Sequence, residues 1–300
     1  MDRFETMRVY IRVSELASFS KAAESLGLPK ATVSTAVQQL EAHLGTRLLH
    51  RTTRQVQMTQ DGQMYFERCK DLLSDMEELE SLFKKDARSI SGRLRVDMPQ
   101  GVAKNIVLPQ LGKFLKQYPG IEVELSSTDR RVDLIAEGFD CVIRVGNLVD
   151  SGLIARSLGK LAIINCVSPG YIKEFGEPKT VADLENHYLV HYSTALGAKP
   201  EGFEYFNGDS FQSVPMKGRI TVNNSDAYSA ACLAGFGIVQ VPAIGMKNNL
   251  ENKAVVQVLP NLKAEAMPVS IIYPHRRNIS KRVQVFMDWI AEIMQDYISK

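Results

Sequence analysis

Polar side chains gather on one face of a predicted helix near the start of the chain. Over residues 30–44 the apolar positions recur at helical steps. The opposite face carries short hydroxyl, amide and ammonium groups: Lys30, Thr32, Ser34, Thr35, Gln38 and Gln39. Such groups can hydrogen-bond to base edges in the major groove of DNA, where Gln can pair with adenine. Taken alone, the pattern favours a plain amphipathic helix with a neutral polar face.

A basic segment directly after this helix favours DNA binding over a plain amphipathic helix. Residues 42–60 contain no Asp or Glu but hold Arg47, Arg51 and Arg54. Residues 55–58 alternate polar and apolar side chains, which predicts the strand of a β-wing. A wing there would place Arg51 and Arg54 against DNA phosphates or in a neighbouring minor groove. A solvated loop is the alternative interpretation of these arginines.

The elements that would position these groups are short helices joined by a tight turn. Apolar residues recur at helical spacing over residues 4–13, which predicts a first helix. Ser20 is the predicted N-cap of a second helix that begins at Lys21, and both would lie near the DNA backbone. Gly27 suits a helix C-cap and Pro29 a helix start. The pattern predicts a helix-turn-helix followed by a wing.

The segment from Ser18 to Gly62 resembles the N-terminal winged helix-turn-helix of LysR-type transcriptional regulators. The matching positions follow in order without a gap: Phe19, Ala22-Ala23, Leu26, Val33-Ser34, Leu40-Glu41, Leu44-Gly45, Leu48, Arg51, Arg54, Thr59 and Gly62. One departure is Lys30, which replaces a Gln that commonly contacts DNA in the family. The resemblance implies a sequence-specific regulator that binds a double-stranded DNA operator and is not an enzyme, with residues 1–60 as its DNA-binding domain.

Residues 61–90 predict a linker helix with a heptad seam. Its members fall at alternating steps of four and three: Tyr65, Cys69, Leu72, Met76, Leu79 and Phe83. A narrow seam with charged residues elsewhere is typical of a helix that pairs with a second helix. The alternative is a helix packed on its own domain. Pairing would give a dimer with two recognition helices, so the operator is expected to be an imperfect palindrome.

Residues 91–300 predict an α/β domain. Strand and helix patterns alternate over residues 94–145, with a short helix at 130–137, and this order favours a parallel sheet covered by helices. A second helix is expected at 225–234. Further strands are expected at 161–167, 188–192, 219–222, 237–241, 255–259 and 269–273.

The resemblance continues through this domain and covers essentially the whole chain. Residues 129–146 and 153–172 resemble the effector domain of LysR-type regulators, which is similar to type-2 periplasmic binding proteins. That resemblance implies two lobes with a small molecule between them. It places lobe one at about 93–168 and 267–300, and lobe two at about 169–266. It also implies a homo-oligomer that is a dimer of dimers, with RNA polymerase as a further candidate partner.

Strand-to-helix junctions are the candidate contacts of that effector, because ligands collect beyond strand ends and near helix N-termini. The junction residues carry hydroxyls, amides and free N–H groups: Pro99, Gln100, Gly101, Ser126, Ser127, Thr128, Asn223 and Asn224. Arg144 ends a strand, and Ser193 begins the contribution that the resemblance gives to lobe two. These groups could hold a carboxylate or another anion. Helix capping is the alternative for the junctions, and a structural ion pair for Arg144.

Composition excludes several classes of protein. The net charge of +2 excludes a globally basic protein that coats nucleic acids, and no apolar run reaches the roughly 18 residues of a membrane span. The four scattered cysteines predict reduced thiols in a cytoplasm rather than a disulfide framework or a zinc site. Motifs of hydrolases, P-loop proteins and zinc peptidases are absent from the sequence. We therefore expect no metal, no cofactor and no membrane partner, and a solute-binding protein is disfavoured by the missing signal peptide.

Overall fold

The computed structural model describes residues 1–51, 56–81, 90–148, 152–199, 201–274 and 279–299. The chain divides into two compact units, Met1–Arg93 and Leu94–Lys300. No described helix is both long enough and apolar enough to cross a lipid bilayer.

The N-terminal unit is a winged helix-turn-helix followed by a long helix, which confirms the predicted fold. Its elements in chain order are α1 (Arg3–Leu16), α2 (Phe19–Leu26), α3 (Lys30–Leu44), β1 (Leu49–Arg51), β2 (Val56–Met58) and α4 (Gln60–Ser81). Strands β1 and β2 pair antiparallel and form the wing. Helix α3 spans the residues that the apolar periodicity predicts.

The turn between α2 and α3 depends on the residues that punctuate it. Gly27 ends α2 with φ +64°, a left-handed conformation that glycine adopts without steric cost. Pro29, in extended conformation, precedes α3. The prediction of Ser20 as the N-cap of α2 is wrong. Ser18 is the N-cap, because its backbone is extended and its hydroxyl accepts the Lys21 N–H at 3.3 Å.

An apolar core holds the three helices and the wing together. Tyr10 and Val13 of α1 and Val33 and Val37 of α3 are fully buried in it. The predicted apolar stripe of α3 ends earlier than expected, since Leu44 in its last turn is exposed. The core therefore fixes α3 along its first three turns and leaves the opposite face open.

Polar contacts attach the wing to α3 and attach α4 to α1. The Glu41 carboxylate accepts the N–H groups of Leu48 and Leu49 at 2.9 and 3.0 Å, which joins α3 to β1. The Tyr10 hydroxyl donates to the carbonyl of Gly62 at 2.8 Å. A Cβ atom at Gly62 would collide with the carbonyl oxygen of Leu48, so only glycine allows α4 to approach the wing this closely. Several positions of the DNA-binding motif thus build the scaffold.

The C-terminal unit contains two groups of strands, and this arrangement confirms a two-lobed α/β domain. The larger sheet has five strands in the order β4 (Gly120–Ser127), β3 (Ser91–Met98), β5 (Cys141–Val145), β14 (Met267–Tyr273) and β6 (Ile154–Leu161). Strand β3 runs parallel to β5, whereas β14 runs antiparallel to β5 and β6. The sheet is mixed rather than parallel throughout, because β14 enters it after the chain has passed through the second lobe.

Helices of the first lobe follow its strands. A helical stretch begins with α5 (Gln100–Val102), passes through a π-helical turn at Ala103–Val107, and continues as α6 (Leu108–Gln117). The final helix is α10 (Lys281–Met294), which buries a broad apolar face.

The predicted helix at 130–137 is absent, since the structure has only turns there. The Asp133 carboxylate accepts the N–H groups of Ile135 and Ala136. Glu137 pairs with Arg130 at 2.7 Å. Backbone bonds such as the one from the Glu137 N–H to the Asp133 carbonyl at 2.9 Å form a single turn, and side chains bond to the preceding N–H groups, so no regular helix develops.

The second lobe consists of short strands and helices. Its three-stranded sheet has the order β12 (Val239–Pro242), β7 (Ile163–Val167) and β13 (Val256–Gln257). The remaining elements are α7 (Pro169–Phe175), β8 (His191–Tyr192), β9 (Phe203–Phe206), β10 (Phe211–Val214), β11 (Thr221–Val222), α8 (Ser225–Leu233) and α9 (Ala243–Glu251). Because β7 pairs inside this lobe, the second sheet begins at Ile163, several residues before the boundary that the resemblance implies.

Candidate functional site

The polar face of α3 is open to solvent. Lys30, Thr35 and Gln38 are exposed, and Thr32 and Ser34 are half-buried beside them. Pro29 at the N-cap offers no capping side chain, and the first turn of α3 holds no acidic residue. The positive end of this helix is therefore available to an anion such as a DNA phosphate.

Basic and polar groups on neighbouring elements extend this face. Ser20 and Lys21 are exposed on the first turn of α2. Arg47 and His50 are exposed between α3 and the end of β1. The backbone of Arg51 ends β1, but its side chain and the whole of Arg54 lie outside the described residues. Their predicted phosphate contacts stay predictions.

The seam of α4 divides into two parts. Tyr65 packs edge-on against Tyr10 at 5.6 Å between ring centroids, and Cys69 is buried beside it. Burial raises the pKa of the Cys69 thiol, which fits an apolar filler rather than a reactive thiolate. Leu72 is 46% exposed and Met76 half-buried. The first part of the seam thus packs on its own unit, as the alternative interpretation holds.

The rest of the seam lies beyond the side chains that the structure describes. The side chain of Leu79 is undescribed, and Phe83 falls outside the described residues. Met64, which the heptad pattern misses, is 66% exposed on α4. The dimerisation role of the six seam residues stays a prediction.

A cavity of about 540 Å³ lies between the two lobes of the C-terminal unit. Both lobes line it, and so do Leu161 and Met267, where the chain crosses between the lobes. Of the predicted effector contacts, it is lined by Pro99, Gly101, Thr128 and Arg144. Its lining does not include Gln100, Ser126, Ser127, Ser193, Asn223 or Asn224. Four of the ten predicted contacts therefore line this cavity, three of them at the strand ends of lobe one, and their contact with an effector stays a prediction.

Two of the six residues outside the lining make local hydrogen bonds instead. The Asn224 side chain accepts the N–H of Ala227 at 2.8 Å, so it caps α8, as the alternative interpretation holds. The Ser193 hydroxyl donates to the carbonyl of Ala195 at 2.7 Å.

Arg144 forms a structural ion pair and also lines the cavity. Its Nη1 lies 2.7 Å from Oδ2 of Asp97, whose side chain is fully buried. Thr128 donates to the other carboxylate oxygen of Asp97 at 3.2 Å. The Nη2 of Arg144 is buried and has no hydrogen-bond partner among the described residues. Asp97 thus neutralises the charge of Arg144, and the N–H donors of Nη2 stay unbonded among the described residues.

Asp129 is the cavity residue that sequence reasoning missed most clearly. It follows Thr128 at the end of β4, and its Oδ1 accepts the N–H of Gln100 at 3.1 Å. Its Oδ2 accepts the N–H of Ser225 at 2.6 Å, although Ser225 begins a helix of the other lobe. Burial, together with the charge of Asp129, raises the pKa of Tyr192. The sequence feature that could have indicated this role is the position of an acidic residue directly after a strand end.

Lobe two supplies an aromatic and amide wall. The rings of Tyr192 and Tyr228 lie 5.3 Å apart, and the Tyr228 hydroxyl accepts the N–H of Gln240 at 3.1 Å. The Gln240 amide in turn bonds to both backbone groups of Glu204. Strands β9 and β10 pair antiparallel as a hairpin, and Phe211 of β10 lines the cavity.

Acidic groups outnumber basic ones around this cavity. The lining residues include four acidic ones, Asp129, Glu201, Glu204 and Glu265, against Arg144 and His191. Most other lining residues are apolar, among them Val102, Val145, Leu161, Ile163, Val190 and Ile244. A cavity between two lobes that combines apolar walls with polar groups is typical of a small-molecule site.

Comparison with known protein families decides what these two units are. A family model described as "Bacterial regulatory helix-turn-helix protein, lysR family" matches residues 4–63. A second, "LysR substrate binding domain", matches residues 87–295. The chain belongs to the LysR family of transcriptional regulators. It is a DNA-binding regulator with an effector-binding domain, and not an enzyme.

Individual LysR-family proteins are similar along nearly the whole chain. An uncharacterized HTH-type transcriptional regulator of Escherichia coli K12, YhjC, is 48% identical over 298 residues, which cover 99% of this chain and 100% of YhjC. An HTH-type transcriptional repressor of Pseudomonas aeruginosa is 36% identical, covering 99% of this chain and 93% of the repressor. The structure of CrgA, a LysR-type regulator of Neisseria meningitidis, matches with a TM-score of 0.61 at 29% identity, over 97% of this chain and 98% of CrgA.

Proposed function

We propose that this LysR-family regulator reads the bases of its operator through the first turns of α3. The observation that carries the proposal is the exposed polar face of α3, with Gln38 and Thr35 at its centre and an uncapped helix N-terminus at one end. The residues that would read bases are Lys30, Thr32, Ser34, Thr35 and Gln38. The residues that would hold the DNA backbone or minor groove are Ser20, Lys21, Arg51 and Arg54.

The proposed assembly is a homodimer that pairs into a dimer of dimers. Exposed apolar side chains on α4 support this, since Met64 is 66% exposed and Leu72 46% exposed within a single chain. Two copies would present two recognition helices, so the operator would be an interrupted palindrome. We place the protein in the cytoplasm with its DNA, where RNA polymerase is a candidate partner.

The proposed effector is a small molecule in the interlobe cavity. A volume of about 540 Å³ suits a metabolite-sized ligand, and the apolar lining would bury most of its surface. Such a ligand can change regulation only if it binds one arrangement of the lobes more tightly than another.

The experiment that tests the operator proposal is DNA binding by purified protein at several salt concentrations. The probe is the DNA directly upstream of its own gene, and a scrambled sequence is the control. We expect tight binding to the first probe, with two protected half-sites in a footprint. Equal and weak binding to both probes, followed by a genome-wide pull-down without enriched sites, would contradict the proposal.

A further inference from the structure

Two helix N-termini face each other across the cavity. In lobe one the continuous helical stretch of α5, the π-helical turn and α6 begins at Gln100, in lobe two α8 begins at Ser225, and Gly101 lies against Ser225. Helix N-termini carry partial positive charge and free N–H groups, so two of them in opposition form a place for an anion.

A side chain of the chain itself fills that place. The Asp129 carboxylate accepts one N–H from each helix, at 3.1 Å from Gln100 and 2.6 Å from Ser225. One oxygen therefore bonds to each lobe. Beside it, the exposed pair of Lys104 and Asp226 also joins the lobes, at 3.1 Å.

We propose that the Asp129 carboxylate occupies the position between the lobes where the anionic group of a ligand would bind. As a consequence, the cavity accepts uncharged ligands and excludes carboxylates. This inference rests on the proposed role of the cavity as the effector site. A ligand carboxylate would meet the negative charge of Asp129 and find both N–H groups already bonded. The carboxylates of Glu201, Glu204 and Glu265 add to this repulsion.

The remaining polar atoms favour an uncharged ligand with a carbonyl or hydroxyl group. Arg144 Nη2 and Ser225 Oγ are buried without hydrogen-bond partners among the described residues, and both residues line the cavity. Because Asp97 already neutralises Arg144, its free N–H suits a neutral acceptor. The sequence left an anionic effector open, whereas these contacts favour a neutral ligand with an apolar body.

Formate rescue of a truncated Asp129 tests the inference with the full chain. In Asp129→Ala, a formate ion fits the space of the lost carboxylate and can bond to the same N–H groups. We expect a lower Tm than in the wild type, and formate should raise it by roughly 2–4 °C more than sodium chloride at equal ionic strength. The wild type should show no formate-specific rise, since its own carboxylate occupies the place.

Two control variants separate the anion site from general effects. Lys104→Ala breaks the other interlobe pair without opening an anion-sized space, and Asp129→Asn keeps that space filled. Neither should respond to formate. Equal formate responses in all four proteins, or none in Asp129→Ala, would overturn the inference.

The readouts of this experiment are independent of DNA. If Asp129→Ala does not unfold cooperatively, its folded fraction by circular dichroism takes the place of Tm, and formate should restore it. Since the assay contains no DNA, its failure leaves the operator proposal standing, and failed operator binding leaves this inference standing.

Discussion

In the N-terminal unit, the proposed DNA-reading groups come from one continuous stretch, from Ser20 to Arg54. In the C-terminal unit, the cavity draws its lining from Pro99 to Met267, and its central contact joins Asp129 to Ser225 across the lobes. The first site is the outer face of a helix whose inner face is core. The second exists only when two lobes are placed together. Sequence periodicity therefore reports the first site directly and the second hardly at all.

Arg144→Met gives the largest expected effect, because the lobe-one side of the cavity depends on a buried ion pair. The substitution leaves the fully buried Asp97 carboxylate without its partner, which should lower the free energy of unfolding of the C-terminal unit by about 3–5 kcal/mol. Chemical denaturation measures it. The double variant Asp97→Asn/Arg144→Met should recover most of the loss. A loss in the single variant below about 1 kcal/mol would show that the pair contributes little.

Gly62→Ala should disrupt the N-terminal unit selectively. Its Cβ would collide with the Leu48 carbonyl, so we expect a loss of about 1–3 kcal/mol, read as faster hydrogen exchange in α1–α4 and weaker DNA binding. Gly112→Ala on α6 is the matched control, since its Cβ meets no heavy atom within 4 Å and should leave both units intact. Equal exchange in both variants would show that the close approach of α4 to the wing is dispensable.

Gln38→Ala should remove sequence discrimination while keeping nonspecific affinity. A side-chain amide that pairs with a base is worth about 1–3 kcal/mol of discrimination, so the ratio of operator to scrambled binding should fall roughly 5- to 150-fold. Fluorescence anisotropy on both probes measures it. Gln63→Ala removes an exposed amide from α4 instead, where it bonds to Glu67, and should leave the ratio unchanged. Parallel losses on both probes would assign Gln38 to the DNA backbone.

These contrasts show what a sequence can predict. The bounds of α3, the turn at Gly27 and Pro29, and the wing follow from periodicity and from residues that restrict the backbone locally. The N-cap was misplaced by two residues because Ser18 and Ser20 are equally good capping residues in sequence. The choice between them depends on where the extended backbone ends.

The C-terminal errors have a tertiary origin. Residues 130–137 have helical composition, but side-chain contacts of Asp133 and Glu137 stabilise turns instead. The Asn224 side chain, a candidate effector contact, caps α8 and does not line the cavity. Asp129 escaped notice because its two partners lie on different lobes, a proximity that no local pattern contains.

A lower pH should destabilise the C-terminal unit more than the N-terminal unit. His187 and His191 are buried in the C-terminal unit and burial lowers the pKa of each, whereas His43 and His50 are exposed in the N-terminal unit. Because each histidine has a lower pKa when folded, the unfolded state binds more protons than the folded state as the pH falls below 6.5. The free energy of unfolding should therefore decrease there, by at most about 1.4 kcal/mol per pH unit for each histidine. Unfolding curves between pH 7 and 5 measure it, and His187→Gln should flatten the slope. If the free energy of unfolding of the N-terminal unit fell equally with pH, the cause would be the increase in net charge rather than the two buried histidines.

Arg51→Ala should have the smallest effect and depend most on conditions. Loss of one phosphate contact should weaken binding equally on operator and scrambled DNA and make the plot of log affinity against log salt shallower by about 0.9. Arg156→Ala is the control for charge, because this arginine lies in the C-terminal unit and pairs with exposed Asp288. If Arg51→Ala instead changed the operator-to-scrambled ratio at constant salt slope, Arg51 would read bases. That result would contradict the assignment of base contacts to α3 and of phosphate contacts to the wing. The two elements would still form one DNA-binding surface from a continuous stretch of sequence.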